Sequence, residues 1–482
     1  MKKESGNNRR ERTMRKIIIV LLAMLMLSMN MAAQVMTLTL DSCRALAVNN
    51  NKELRMADKK VQAAYYERKA AFTKYLPRIT ATGTYTYTSK ELSLLSDEQK
   101  ETFSNVGTTV SAMLPQLSSM STTLNGLGSG LVDALHTDTR NTTVGSVLLT
   151  QPLYMGGKIA AYNRITQYAE KIAHNSQDLS LQDVIVEVDE AYWRIVALQT
   201  KKKLAESYLK LVEKLDSDVQ QIISAGMGTK ADGLSVKVKV NEARVAMIQV
   251  TNGLSISQML LCQICGLPLD SHLLLTDENP QSLSSPGTSV NNSVQTAWTL
   301  RPELRSLELA TKIAKEKVKI ARAAYLPNVA LTGGYLASNP SVFNSFERKF
   351  KGMWNVGVVV SVPLVTCGER IYKVKAEQAE AEAVSLRLAE TREKVELQVN
   401  QNHQKVEEAT ERLNTAERSQ AEADENLRYA TLGLKEGVIP VSNVLEAQTA
   451  WLSAHSECVT ARIDLRLANL YLNKSIGTLT YK

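Results

Sequence analysis

Cys262-Gln-Ile-Cys265 has the spacing of a redox or metal pair. It closes an apolar stretch, no second pair follows, and Cys43, Cys367 and Cys458 are scattered. Five cysteines so placed are not a disulfide framework, and packing is the better reading of the pair. His136, His174, His272, His403 and His455 stand singly, without the i,i+4 spacing of helical metal ligands. No metal site within one chain and no cofactor are expected; His403 and His455 read as polar positions on helix faces. Gly126-Leu-Gly-Ser-Gly130 lacks both the Gly-Lys-Ser/Thr ending and the preceding strand of a phosphate loop. It lies in a Ser/Thr/Gly-rich segment, 89–141, with short amphipathic pieces, which reads as a long surface loop. With no Gly-x-Ser-x-Gly elbow and no zinc-protease motif, the sequence does not describe an enzyme.

The elements around these residues are helical in character. Hydrophobic residues make up 44% of the 482, yet aromatics only 5%, which suits Ala/Leu-rich helices better than an aromatic-lined pocket. The formal charge of +8 is concentrated at the start, where residues 1–33 hold seven Lys/Arg against Glu4 and Glu11. The remainder is nearly balanced with both signs interleaved, so no nucleic-acid partner is indicated. Ile17–Leu27 is an apolar run preceded by Arg15-Lys16 and followed by Met31-Ala32-Ala33. It predicts a signal peptide over 1–33 and is short for a membrane-spanning helix; Met14 is a plausible true start. Cys43 is too far downstream to be a lipidated first residue.

Between Gly368 and Gly437 runs a long seam: Val395, Val399, Asn402, Val406, Ala409, Leu413, Ala416, Gln420, Ala423, Leu427, Ala430, Leu434. Its alternating steps of four and three are the heptad signal of a helix packed along one side, roughly 100 Å long at 1.5 Å per residue. The chain is also duplicated. Glu53-Leu-Arg55 and Tyr75-Leu-Pro77 recur 250 residues on, at Glu303-Leu-Arg305 and Tyr325-Leu-Pro327. Pro152, Gly157, Gly226 and Gly266 recur 211 residues on, at Pro363, Gly368, Gly437 and Gly477. Landmarks kept in register mark a true repeat. The first copy is expected over 34–266, with strands near 78–88 and 142–152, a long helix over about 158–225 and a turn at 226–229. A linker over 267–292 leads to the second copy, 293–482. There the strands are expected near 328–337 and 354–363, the long helix over about 369–436 and the turn at 437–440. One helix is expected ahead of each strand pair, from Leu40 to about Lys74 and from about Val294 to Ala324.

Ile79, Ala81, Gly83, Tyr85 and Tyr87 alternate with threonines, giving one apolar and one hydroxyl face. Val329, Leu331, Gly333 and Tyr335 mark one face of a further strand, and Trp354, Val356, Val358, Val360 and Val362 mark that of another; the phase of 142–152 is less clear. Four such strands cannot close a barrel, and an open sheet has unpaired edges. Aromatics at the ends of the apolar faces resemble a membrane interface belt. Three copies give twelve strands, so the predicted fold is mainly α with a small transmembrane β part, a trimeric 12-stranded barrel with four strands per chain. The competing reading is a periplasmic coiled-coil scaffold or adaptor with a soluble sheet packed on its helices.

Leu38-Thr-Leu-Asp41, Asn51-Lys-Glu-Leu54, the Tyr-Leu-Pro strand entries, Gln151-Pro-Leu-Tyr-Met-Gly-Gly157 and Gly477-Thr-Leu479 together resemble the outer membrane efflux protein family, the TolC-like channels. The resemblance covers essentially all of the chain after the leader. It implies a homotrimer in the outer-membrane lipid of a Gram-negative bacterium, its barrel continued by a long periplasmic α-helical barrel. Such a trimer is the exit duct of a tripartite efflux pump or a type I secretion system. A periplasmic adaptor and an inner-membrane transporter, of RND, ABC or similar class, complete the machine. The adaptor would dock on Gly226, Met227, Gly228 and Thr229 and on Gly437, Val438, Ile439 and Pro440. The periplasmic aperture would fall on Asp232, Leu434, Asn443 and Glu446. The family's gate carries over in part: an amide, Asn443, replaces one acid, Leu434 replaces a tyrosine and Ile439 an arginine. That implies an apolar constriction in place of a salt-bridged latch, with acids that favour cations. Read from the residues alone, Asp232 is equally a helix cap and Glu446 a solvated acid.

Overall fold

The computed structural model describes residues 36–89, 95–136, 139–271, 273–276, 290–341, 343 and 347–479. The leader expected over 1–33, His272 and much of the expected linker lie outside the described residues. Among the described residues the order is β1 (Met36–Leu38), α1 (Leu40–Asn50), α2 (Lys52–Phe72), β2 (Arg78–Tyr87), α3 (Asp97–Ser104), α4 (Val106–Met113), α5 (Ser121–Ala134), β3 (Asn141–Met155), α6 (Lys158–Ser224), α7 (Lys230–Cys265), β4 (Leu273–Leu275), α8 (Val290–Leu300), α9 (Pro302–Ala323), β5 (Asn328–Asn339), β6 (Lys351–Ser361), α10 (Glu369–Lys435) and α11 (Val441–Ile476). The chain divides into two units, and each long helix, α6 and α10, contributes to both.

One unit comprises the chain up to Ala64, Glu170–Ala310 and Val384 onward. It is a set of packed helices with a two-stranded parallel sheet, β1 beside β4. Along α10 the buried residues are Val395, Val399, Asn402, Val406, Ala409, Ala416, Ala423, Leu427 and Ala430, which is the heptad seam. Leu413 and Leu434 on the same seam are partly buried against it. The helices expected as single pieces over 40–74 and 294–324 are each broken, at Asn51 and at Arg301. Asn51 leaves helical geometry, at φ −61° and ψ 130°; its carboxamide accepts from the Glu53 N–H and donates to the Ile264 carbonyl. In the second copy Pro302 forces the same break, because proline disfavours helical backbone in the residue before it. A glycine from a neighbouring helix end presses on each break. A Cβ on Gly266 would lie 2.6 Å from Asn50 Cβ, and one on Gly477 3.1 Å from Leu300 Cβ.

The second unit, Tyr65–Ala169 and Thr311–Ala383, holds an antiparallel sheet in the order β2-β3-β5-β6. Its register aligns Ala81, Val147, Tyr335 and Trp354 in one row and Ile79, Leu149, Gly333 and Val356 in the next. These rows share a face that carries no charged side chain. The opposite face aligns Thr80, Leu148, Gly334 and Asn355, then Thr82, Ser146, Leu336 and Met353. Strand β3 runs to Met155 and resolves its uncertain phase with a register shift between Pro152 and Tyr154, where the extra residue is accommodated. Strand β6 begins and ends earlier than the expected 354–363. β2 and β6 are the outer strands and expose their whole length.

The segment 89–141 differs from the surface loop expected of it. Outside 90–94 and 137–138 it folds into α3, α4 and α5 with a 3₁₀ turn at Pro115–Met120. Ser96 and Gln99 form a capping box that starts α3. The glycines that suggested a loop permit close helix packing: a Cβ on Gly128 would fall 1.8 Å from the Phe103 carbonyl oxygen, and one on Gly107 2.1 Å from that of Ser121.

Candidate functional site

The residues implied as docking and aperture positions lie where α6 turns into α7 and where α10 turns into α11. Both long helices end alike. Gly226 and Gly437 take φ of +77° and +70°, a left-handed conformation that glycine adopts without penalty. The Met227 N–H donates to the Ile222 carbonyl and the Val438 N–H to that of Gly433, at 3.1 and 2.8 Å, which closes the last carbonyls of each helix.

The outgoing helices start differently. Thr229 caps α7: its Oγ1 accepts from the Asp232 N–H at 3.1 Å, while Asp232 Oδ2 accepts from the Thr229 N–H at 3.2 Å and from its hydroxyl at 2.6 Å. The Asp232 carboxylate is therefore engaged as a helix cap. At the matched start of α11, Pro440 has no side-chain cap, and only its carbonyl accepts from the Asn443 N–H. Isoleucines fill the inside of both turns. Ile223 lies against Gly228 and Gly233, and Ile439 against Gly433, where a Cβ would come within 2.5 Å of Ile439 Cδ1.

The two hairpins share one core, with Val212, Leu215, Val219, Val236 and Val240 from the first and Leu427, Ala430, Val441, Val444 and Leu445 from the second. A groove of about 990 Å³ opens between them beside the turns. Asp232, Met227, Gly228, Leu434 and the Gly437–Pro440 turn all line it, with Gln448 among the lining residues. Asn443 and Glu446 are absent from that lining and are exposed on α11. Two of the four aperture positions are thus brought together within one chain. Met227 and Val438 are each 79% exposed and project from the turns as bare apolar side chains.

Cys262 and Cys265 sit in a different place, the apolar core at the far end of α7, with Cys43 beside them. The Cys265 thiol donates to the Cys43 carbonyl at 3.6 Å, and burial pushes the Cys262 thiol up. This is packing, and the approach of Cys43 had no signal in the sequence. Among the described residues no group of three His, Cys, Asp or Glu is placed to hold a metal ion. His403 meets Ser293 at 3.2 Å on a helix face.

A family model described as outer membrane efflux protein matches residues 44–267 and again 294–478. The chain belongs to the outer membrane efflux protein family. Each matched stretch contains one long helix and one of the glycine turns. Among relatives in this family, the outer membrane protein TolC of Vibrio cholerae is 22% identical over 302 residues, 62% of this chain and 68% of that protein. The alkaline protease secretion protein AprF of Pseudomonas aeruginosa is 23% identical over 345 residues, 70% of each. The crystal structure of the outer membrane protein VceC from Vibrio cholerae superposes with a TM-score of 0.70 at 14% identity, over 91% of this chain and 96% of that one. At such identity the likeness speaks for the fold. As a member of the outer membrane efflux protein family, the chain is an outer-membrane protein.

Proposed function

We propose that three copies of this chain form a passive exit duct through the outer membrane, without catalysis of their own. The observation that carries this is the sheet: among the described residues it has four strands, two unpaired edges and one uncharged apolar face laid open on a single chain. In hydrocarbon every backbone polar group must be paired, so these edges need other strands, and closure with two further copies supplies them. A second exposed stripe supports self-association. On α7, Leu234, Val238, Val245, Ile248, Ile256 and Met259 stand exposed at steps that keep to one helix face.

In this reading an inner-membrane transporter energises the duct through a periplasmic adaptor, which docks on Gly226–Thr229 and Gly437–Pro440. The aperture is narrowed by Leu434 beside Asp232, with Glu446 and Asn443 contributed along α11. Cell fractionation followed by planar-bilayer recording tests it. The protein is expected in the outer-membrane pellet, released only by detergent, and to carry single-channel current. Recovery in the soluble periplasm without detergent would instead favour a scaffold with a soluble sheet.

A further inference from the structure

Positions 211 residues apart in the two repeats place the same tie between each long helix and the helix that returns beside it, with unlike chemistry. In the first repeat Arg244 Nη2 on α7 donates to Glu213 Oε1 on α6 at 3.0 Å. The matched pair in the second is His455 on α11 and Asp424 on α10, with Nε2 to Oδ1 at 2.9 Å. Trp451 Nε1 donates to that same oxygen at 2.6 Å, its ring centroid is 4.3 Å from the imidazole, and Gln420 Nε2 lies 3.2 Å from His455 Nδ1. The first-repeat counterparts of Trp451 and Gln420 are Val240 and Leu209, so this polar network has no copy there. The Arg244 and Glu213 side chains are 59% and 44% exposed, whereas His455 is 20% exposed, the least of the four.

Arginine keeps its charge at any working pH; histidine is the side chain whose charge ordinarily changes between pH 5 and 8. With the imidazole neutral, Nε2–H donates to Asp424 and Nδ1 accepts from the Gln420 amide. A second proton makes Nδ1 a donor, which Gln420 meets by turning its oxygen inward, and the bond to Asp424 becomes charge-assisted. Neighbouring groups are engaged elsewhere. On and between these helices Glu417 pairs with Arg462, Arg412 with Glu457 and Asp464, and Glu425 with Arg428. Cys458 is a buried thiol on α11, and α6 contributes Tyr208 to the core on which Trp451 packs.

We propose that His455 and Asp424 form a proton-operated clasp that tightens the hold of α11 on α10 as pH falls from about 7.5 to about 5.5, while Arg244–Glu213 holds α7 on α6 alike across that range. Asp424 lies about 20 Å along α10 from the turn, at 1.5 Å per residue. Resting on the duct reading, the consequence is that acid resists spreading of the second hairpin at the periplasmic end.

Hydrogen exchange of the full-length protein in detergent, corrected for intrinsic rates, tests this at pH 5.5 and 7.5. The backbone around 446–460, referenced to 235–249, should exchange about two- to fivefold more slowly at pH 5.5, the worth of one partly exposed ion pair. His455→Arg, which installs the first repeat's chemistry, and Asp424→Asn should each flatten that ratio. A ratio already flat in the unmodified protein, or a full pH response in His455→Arg, overturns the clasp. Absence of channel current would count against the duct, and leaves this exchange readout intact.

Discussion

Asp189 is carried by α6 into the helical core, where its side chain is 4% exposed and faces Arg44 on α1. Arg44 holds both carboxylate oxygens, Nε to Oδ1 at 2.7 Å and Nη2 to Oδ2 at 2.5 Å. Burial pushes the Asp189 carboxyl above its usual range, and the guanidinium pulls it back without cancelling that rise. Removing the cation leaves an uncompensated buried charge, so Arg44→Met should destabilise the helical unit by about 3–5 kcal/mol. A carboxyl whose folded value lies above its unfolded one binds a proton more readily when folded, so stability falls as pH rises through that window. Without the guanidinium that rise is larger, so heat-denaturation midpoints of Arg44→Met, relative to the unmodified protein, should drop more at pH 8 than at pH 5. Equal losses at both would show that Asp189 does not change protonation between these pH values when Arg44 is gone. This pair was invisible in the sequence, since 145 residues separate its members. The Asp232 cap was legible as one of two readings, because threonine three residues before an acid is a local pattern.

At the scale of elements, the two turns are built so that only backbone conformation demands Gly226 and Gly437. A Cβ at either meets nothing within 4 Å. The left-handed φ alone penalises other residues, by about 1–2 kcal/mol. On the proposal that an adaptor docks on these turns, Gly226→Val and Gly437→Val should leave the proposed trimer assembled on gels while lowering pump-dependent resistance through weaker coupling. Unchanged resistance in both variants would refute docking at these turns. The long helices and their turns were readable because heptad spacing and C-terminal glycines are local signals. The break at Arg301 carries its own local signal in Pro302. The break at Asn51 and the helices within 89–141 carry none, because glycines packed against other segments look the same in sequence as a flexible loop.

For the whole molecule, the sheet register sorts adjacent residues of β3 onto opposite faces. Val147 shares a row with Ala81, Tyr335 and Trp354, and Ser146 with Thr82, Leu336 and Met353. If the first face meets lipid and the second water, lysine at Val147 should oppose insertion by about 2–4 kcal/mol, and lysine at Ser146 should be tolerated. Heat-resistant trimer in outer-membrane fractions reads this out: Val147→Lys should lose it and Ser146→Lys keep it. Similar yields from both would mean that this face does not contact lipid.

Local periodicity and the duplication by themselves determined the long α-helices, the alternating strands, the turn glycines and the family, because each is written within a few residues or repeated at a constant offset. Tertiary structure alone decided which pairs meet. It seated Cys43 against Cys265, turned a glycine run into a packed helix, and joined Asp232 to Leu434 in one groove while leaving Asn443 and Glu446 outside it. Those outcomes rest on contacts between residues far apart in the chain, where no single stretch carries the distance.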